Sequence, residues 1–205
     1  MTSDPISPLR AALDAAGEIV AAIGPDEWAL PTPCPEWPVR GVVNHLVGGN
    51  LLFARILAGE RLPPREELVA ASRTDRLGED PVAAYRQAAD RLLGAFETDG
   101  VLQQTFTVPR GPVPGIAALQ LRIVEALVHG WDVARATGRP ARFPEELAER
   151  ALQFTRAALA DVPPAPPGRA PFGPPQPVAD DAPALDRLAA LLGRRVEVSE
   201  EPAHG

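Results

Sequence analysis

The chain has 205 residues, 45% of them apolar, a formal charge of −7 and a pI near 5.0. That is enough for one domain with a real core, or for one domain with an appendage. The acidic balance argues against a broad nucleic-acid-binding face. Every basic residue is arginine, and with the abundant alanine and proline this reflects codon usage rather than function. Cys34 is the single cysteine, so no intrachain disulfide can form. Met1–Pro8 is polar and the apolar stretch behind it carries Asp14 and Glu18, so no signal peptide is expected. No run approaches the roughly 18 apolar residues of a membrane span. The expectation is a cytoplasmic, soluble protein without nucleic-acid or membrane partners, with room for a homodimer.

Helical periodicity begins at Pro8–Ile23, through Leu9, Leu13, Ile19 and Ala22, and stops at Gly24. Trp28–Pro38, WALPTPCPEWP, contains four prolines and two tryptophans and reads as an extended loop. Trp28 and Trp37 are expected to anchor it to the body. A second helix opens at Pro38, a favoured first-turn residue, and runs to about Leu57, with Gly59 as its stop. Arg61–Glu79 reads as a polar connection. Asp80 caps a third helix with Pro81 in its first turn, reaching about Phe96. Val101–Val108 alternates weakly, as a short strand or an extended loop would. A fourth helix covers Gly115–Thr137 and a fifth runs from Pro144 to about Ala160. Asp161–Pro183 is too rich in proline for regular structure and reads as a strap or linker, with Phe172 and Val178 able to pack. Asp181–Leu192 reads as a short amphipathic helix, and Ser199–Gly205 as a frayed tail. The expected fold class is all-α: a four-helix bundle over residues 1–160, with a proline-rich strap and short C-terminal helix in 161–205.

The fourth helix carries the chemistry. At about 100° per residue, Arg122, Glu125, His129 and Asp132 fall within about 80° of one another. Ile116, Leu119, Ile123, Leu127, Trp131 and Ala134 make most of the remaining surface apolar, so the helix is buried and its polar stripe needs partners. One reading is a ladder of ion pairs, Arg122 to Glu125 and His129 to Asp132. The other is a metal site. Glu125 and His129 at i and i+4 grip an ion from one face. His45 shares a face with Val42, Leu46, Gly49 and Leu52 on another mostly apolar helix and supplies a third ligand. Three protein ligands with one open position is the pattern of a catalytic zinc. Arg122 and Asp132 are the residues expected to assist catalysis, Arg122 by pairing with a carboxylate of a bound substrate or cosubstrate and Asp132 by orienting a ligand or water. His204, in the tail, is discounted. Gly41, Gly48 and Gly49 are unusual inside a helix and point to close packing or ligand room beside His45. Cys34 reads as a packed loop thiol rather than a nucleophile, because His45 lies two to three turns further along.

Three segments carry a family resemblance: Thr32–Asn50 (TPCPEWPVRGVVNHLVGGN), Glu125–Gly138 (EALVHGWDVARATG) and Phe172–Arg194 (FGPPQPVADDAPALDRLAALLGR). Together they resemble actinobacterial metal-binding proteins of the DinB-like superfamily, relatives of mycothiol-dependent maleylpyruvate isomerase. The resemblance implies an up-down-down-up four-helix bundle and a divalent ion, zinc or similar, held at His45, Glu125 and His129. It further implies a low-molecular-weight thiol, mycothiol or a similar one, as cosubstrate. The metal would lower the thiol's pKa, and the thiolate would add to a small electrophile in an isomerase or transferase reaction. The alternative is a metal-binding bundle without chemistry, acting as a sensor or partner-binding module.

Overall fold

The computed structural model describes residues 4–160 and 172–196. Among these, the first layer of structure is α1 (Ser7–Ala21), α2 (Val39–Leu57), α3 (Arg65–Ser72), α4 (Pro81–Phe96), α5 (Gly115–Ala136), α6 (Glu145–Ala160) and α7 (Ala184–Leu191). A hairpin of β1 (Thr105–Val108) and β2 (Gly111–Pro114) precedes α5, with Thr105 opposite Pro114 and Val108 opposite Gly111. The described residues are all-α apart from that hairpin. None of the described helices is long and apolar enough to cross a membrane.

Helices α1, α2, α4 and α5 form the bundle: α2 packs on α4 and α5, and α1 on α5 and α4. The up-down-down-up order needs one long crossover, and residues 58–80 supply it between α2 and α4. Local chemistry sets the boundaries. Asp80 Oδ1 accepts the Ala83 N–H at 2.9 Å, capping α4, with Pro81 behind it. Gly138 takes φ 65° just beyond α5, a conformation that favours glycine. Tyr85 Oη donates to the Leu13 carbonyl at 3.0 Å and ties α4 to α1.

Helix α5 is the axis of the molecule. Every residue from Ala126 to Ala134 is buried, because α1, α2, α6 and α7 all pack on it. Trp131 is in the core, as its place in the apolar surface implied, and its Nε1 donates to Asp186 of α7 at 2.6 Å. Helix α7 is held on α6 as well: Glu145 Oε1 accepts the Ala184 N–H at 2.8 Å, and Arg187 Nη2 bonds Glu149 at 2.6 Å.

Two segments differ from the sequence expectation. The polar connection Arg61–Glu79 contains α3, which buries none of its residues. Its REELVAAS sequence has good helix formers but no apolar stripe, so periodicity could not reveal it. The Val101–Val108 segment divides into a 3₁₀ turn at Val101–Gln103 and β1, whose partner β2 pairs it through GPVP. Pro112 and Pro114 within β2 obscure a strand signal, and the edge position tolerates them. Residues 161–171 of the proline-rich strap and the tail with His204 lie outside the described residues. Phe172 and Val178 are described, and both are half-buried.

Candidate metal centre

Helix α5 presents its polar stripe toward α2, and the stripe meets His45 there. His45 Nε2 and His129 Nε2 lie 3.0 and 3.5 Å from the same Glu125 oxygen, Oε2. One donor atom from each of the three residues lies within 4.8 Å of the others, a spacing that one ion can span. Two imidazole nitrogens and one carboxylate oxygen are donors suited to zinc or a similar divalent ion. The site is open on one side. His45 and Glu125 keep 33% and 22% of their side-chain surface exposed, whereas His129 keeps 3%.

The polar residues behind the trio are fully enclosed. Asp132 Oδ2 sits 3.0 Å from His129 Nδ1, which leaves Nε2 facing Glu125 and His45. Arg122, 3% exposed, donates from Nη2 to Asn50 Oδ1 at 2.8 Å and lies 4.0 Å from Glu125. The Phe53 ring lies 5.1 Å from its guanidinium carbon. Gly49 explains itself here: a Cβ at that position would come 2.8 Å from Arg122 Nη1. At Gly48 a Cβ would meet the Arg76 guanidinium, and at Gly41 it would come 2.9 Å from Trp37 Cβ. Both ion pairs of the ladder reading, Arg122–Glu125 and His129–Asp132, therefore exist alongside the three-residue cluster, and the two readings are not exclusive.

The electrostatics follow from this enclosure. Burial would raise the Glu125 carboxyl, but hydrogen bonds from His129 and His45 hold it well below the usual carboxylate range. Burial also works against a charged His129, yet Asp132 and Glu125 on its two ring nitrogens raise its pKa. Burial wins at His45 and lowers its pKa despite Glu125. Burial thus favours a neutral His45, while the two carboxylates beside His129 favour its protonated form. An ion entering the cluster must displace the His129 Nε2 proton. Affinity is therefore expected to fall by about tenfold per pH unit below the raised His129 pKa. Competition titrations with Zn2+ at several pH values check this, and an affinity independent of pH would exclude His129 as a ligand.

Two neighbouring segments were not legible in the sequence. The loop Trp28–Pro38 folds back on itself, with Thr32 Oγ1 donating to the Trp37 carbonyl at 2.7 Å and the Arg40 N–H bonding the Trp28 carbonyl at 2.9 Å. This stacks Trp37 on the His45 ring, centroids 4.4 Å apart and planes inclined by 25°. Trp37 is thus a wall of the site as well as an anchor. The same fold-back brings Cys34 within 4.8 Å of His129 and Asp132 donor atoms, so its distance along the sequence was misleading. Its thiol is buried, and burial pushes its pKa up, which disfavours the reactive thiolate. Cys34→Ser should leave metal stoichiometry unchanged, and iodoacetamide should label Cys34 in denatured protein far faster than in native protein. The second neighbour is Arg194. Its Nε and Nη2 grip Asp132 Oδ1 and Oδ2 at 3.2 and 2.8 Å. Arginine after a short terminal helix carries no pattern that links it to a residue 62 positions earlier.

The family model of the mycothiol maleylpyruvate isomerase N-terminal domain matches residues 9–134, more than half of the chain. The chain belongs to that family. The uncharacterised protein Rv0738 of Mycobacterium tuberculosis is 36% identical over 193 residues, covering 94% of this chain and 99% of the relative. A second uncharacterised protein of that organism, Rv0036c, is 30% identical over 151 residues, covering 66% of this chain and 58% of its own length. Among solved structures, a crystal structure of mycothiol-dependent maleylpyruvate isomerase superposes with a TM-score of 0.59 at 15% identity. It covers 72% of this chain and 66% of the isomerase, just under two thirds of that protein's length. The all-α bundle is therefore of the DinB-like kind expected from the resemblance.

Proposed function

We propose that the chain binds one divalent ion, zinc by its donor set, through His45, Glu125 and His129, and is a thiol-dependent enzyme acting on a small electrophile. The observation that carries this reading is the convergence of two imidazole Nε2 atoms from different helices on a single Glu125 oxygen, at the one open edge of a buried polar stripe. A bound ion supplies a Lewis acid that lowers the pKa of a thiol at its open position. The chain's own residues do the rest. Asp132 accepts the His129 Nδ1–H and so fixes the tautomer and ring orientation that present Nε2. Arg122 sits behind Glu125 and is too enclosed to meet a solute directly, so it acts by holding the carboxylate in place. Trp37 closes one side of the site by its stack on His45 and restricts what approaches it. The residues present fit such an ion, because two neutral nitrogens and an ionised carboxylate are available near pH 7 once His129 gives up its Nε2 proton.

Mycothiol is the first thiol to test, since the family's namesake and the superposed isomerase depend on it. Maleylpyruvate heads the panel of electrophiles for the same reason. The small-molecule reading also suits a cytoplasmic protein. Metal-loaded protein incubated with mycothiol and the panel should form an adduct or isomerise one member faster than His129→Ala protein does. Equal rates for all members would remove the enzyme reading and leave a metal-binding module.

A further inference from the structure

We infer that Arg194 is a positioning residue of the metal centre: through its two-point grip on Asp132 it fixes His129, so that the segment after α7 sets the affinity of the site for its ion. This rests on the metal reading above and adds a residue outside the span 9–134 matched by the family model.

The contacts form an unbroken chain. His129 Nδ1 lies 3.0 Å from Asp132 Oδ2, and Arg194 Nη2 lies 2.8 Å from that same oxygen. Arg194 Nε bonds the other oxygen at 3.2 Å, so the carboxylate is held at both ends and cannot rotate without breaking a bond. Asp132 is 0% exposed, Arg194 5% and His129 2%, so no water replaces a lost contact. Two further contacts fix Arg194 itself. Its Nη1 donates to the Leu192 carbonyl at 2.8 Å, and its guanidinium carbon lies 5.6 Å from the Phe172 ring. Phe172 and Arg194 are brought together by two glycines. A Cβ on Gly193, which has φ 88°, would come 2.7 Å from Gly173 Cα, so the two backbone segments touch directly. The turn after α7, the Phe172–Gly173 segment and the ligand helix α5 thus meet at one buried carboxylate.

Asp132 cannot do this alone. A buried carboxylate facing one imidazole has a free oxygen and an uncompensated charge, and it can turn to find another partner. Arg194 removes that freedom with a planar fork that lysine cannot reproduce. Partners one step behind a metal ligand change metal affinity by about 10–100-fold when removed. Arg194 stands one step further back, and its effect must pass through Asp132.

The test is a double-mutant cycle read by Co2+ affinity, with the visible absorption of bound Co2+ reporting the ligand geometry. Arg194→Ala should weaken Co2+ binding by about tenfold or more and alter the spectrum. Asp132→Ala should weaken it at least as much, and Asp132→Ala/Arg194→Ala no more than Asp132→Ala alone. Arg194→Lys should fall between wild type and Arg194→Ala, and it carries the cycle if the alanine variant does not fold. A purely structural Arg194 would lower the melting temperature and leave Co2+ affinity and spectrum unchanged, which would overturn the inference. Additive losses in the cycle would overturn it too, since Arg194 would then act by another route. If wild-type protein takes up no Co2+, the metal reading falls and takes this inference with it. If wild type binds and the Arg194 variants bind equally well, this inference alone falls.

Discussion

His129→Ala is expected to abolish stoichiometric binding of divalent ions, the largest functional effect of any single substitution in this chain. His129 is the only member of the trio that touches both the proposed ligand Glu125 and the buried Asp132, so its loss removes a donor and unties the pair behind it. Wild-type protein with free Zn2+ at about 100 times the dissociation constant gains about 2.7 kcal/mol of stability from binding the native state alone. The variant should gain none, and a chelator should lower the melting temperature of wild type only. Elemental analysis of untagged protein gives the stoichiometry directly. One ion per chain retained in His129→Ala, or in His45→Ala, would refute the site as drawn. His45 is the better probe of the fold-neutral case, because its 33% exposed side chain is less committed to the core than His129.

Arg122→Ala should carry the second large effect, on stability, at a cost of about 2–4 kcal/mol. The guanidinium fills the space that Gly49 leaves open, bonds Asn50 Oδ1 at 2.8 Å and lies against Phe53. Truncation leaves a cavity there and an unpaired buried amide oxygen. It also removes the guanidinium that lies 4.0 Å from Glu125. Urea denaturation of metal-free protein measures the loss. Arg122→Met keeps most of the volume without the charge or hydrogen bond. If Met restores nearly all the stability, packing dominates. If it restores little, the Asn50 bond and the charge dominate. A cost below about 1 kcal/mol for Arg122→Ala would mean that the site collapses around the gap and the buried network is not structural.

Much of this protein was determined by the sequence alone. Period-3.6 apolar spacing, with Asp80, Pro81 and Gly138 at the boundaries, placed the bundle helices within a few residues, because each signal acts through neighbouring residues. The Arg122–Glu125–His129–Asp132 stripe was legible for the same reason: positions three and four apart share a helix face whatever the rest of the chain does. The inward face of His45 followed from the same periodicity on α2.

Only the tertiary structure decided which residues surround that stripe. Helix α3 buries nothing, so hydrophobic pattern gave no hint of it. Cys34 and Trp37 reach the site because the proline loop closes on itself through hydrogen bonds at Thr32 and Arg40. Arg194 reaches Asp132 because Gly173 and Gly193 let two backbones touch. These contacts join residues far apart in the chain. No local periodicity records them, since long-range packing and buried charge, not helix geometry, bring those groups together.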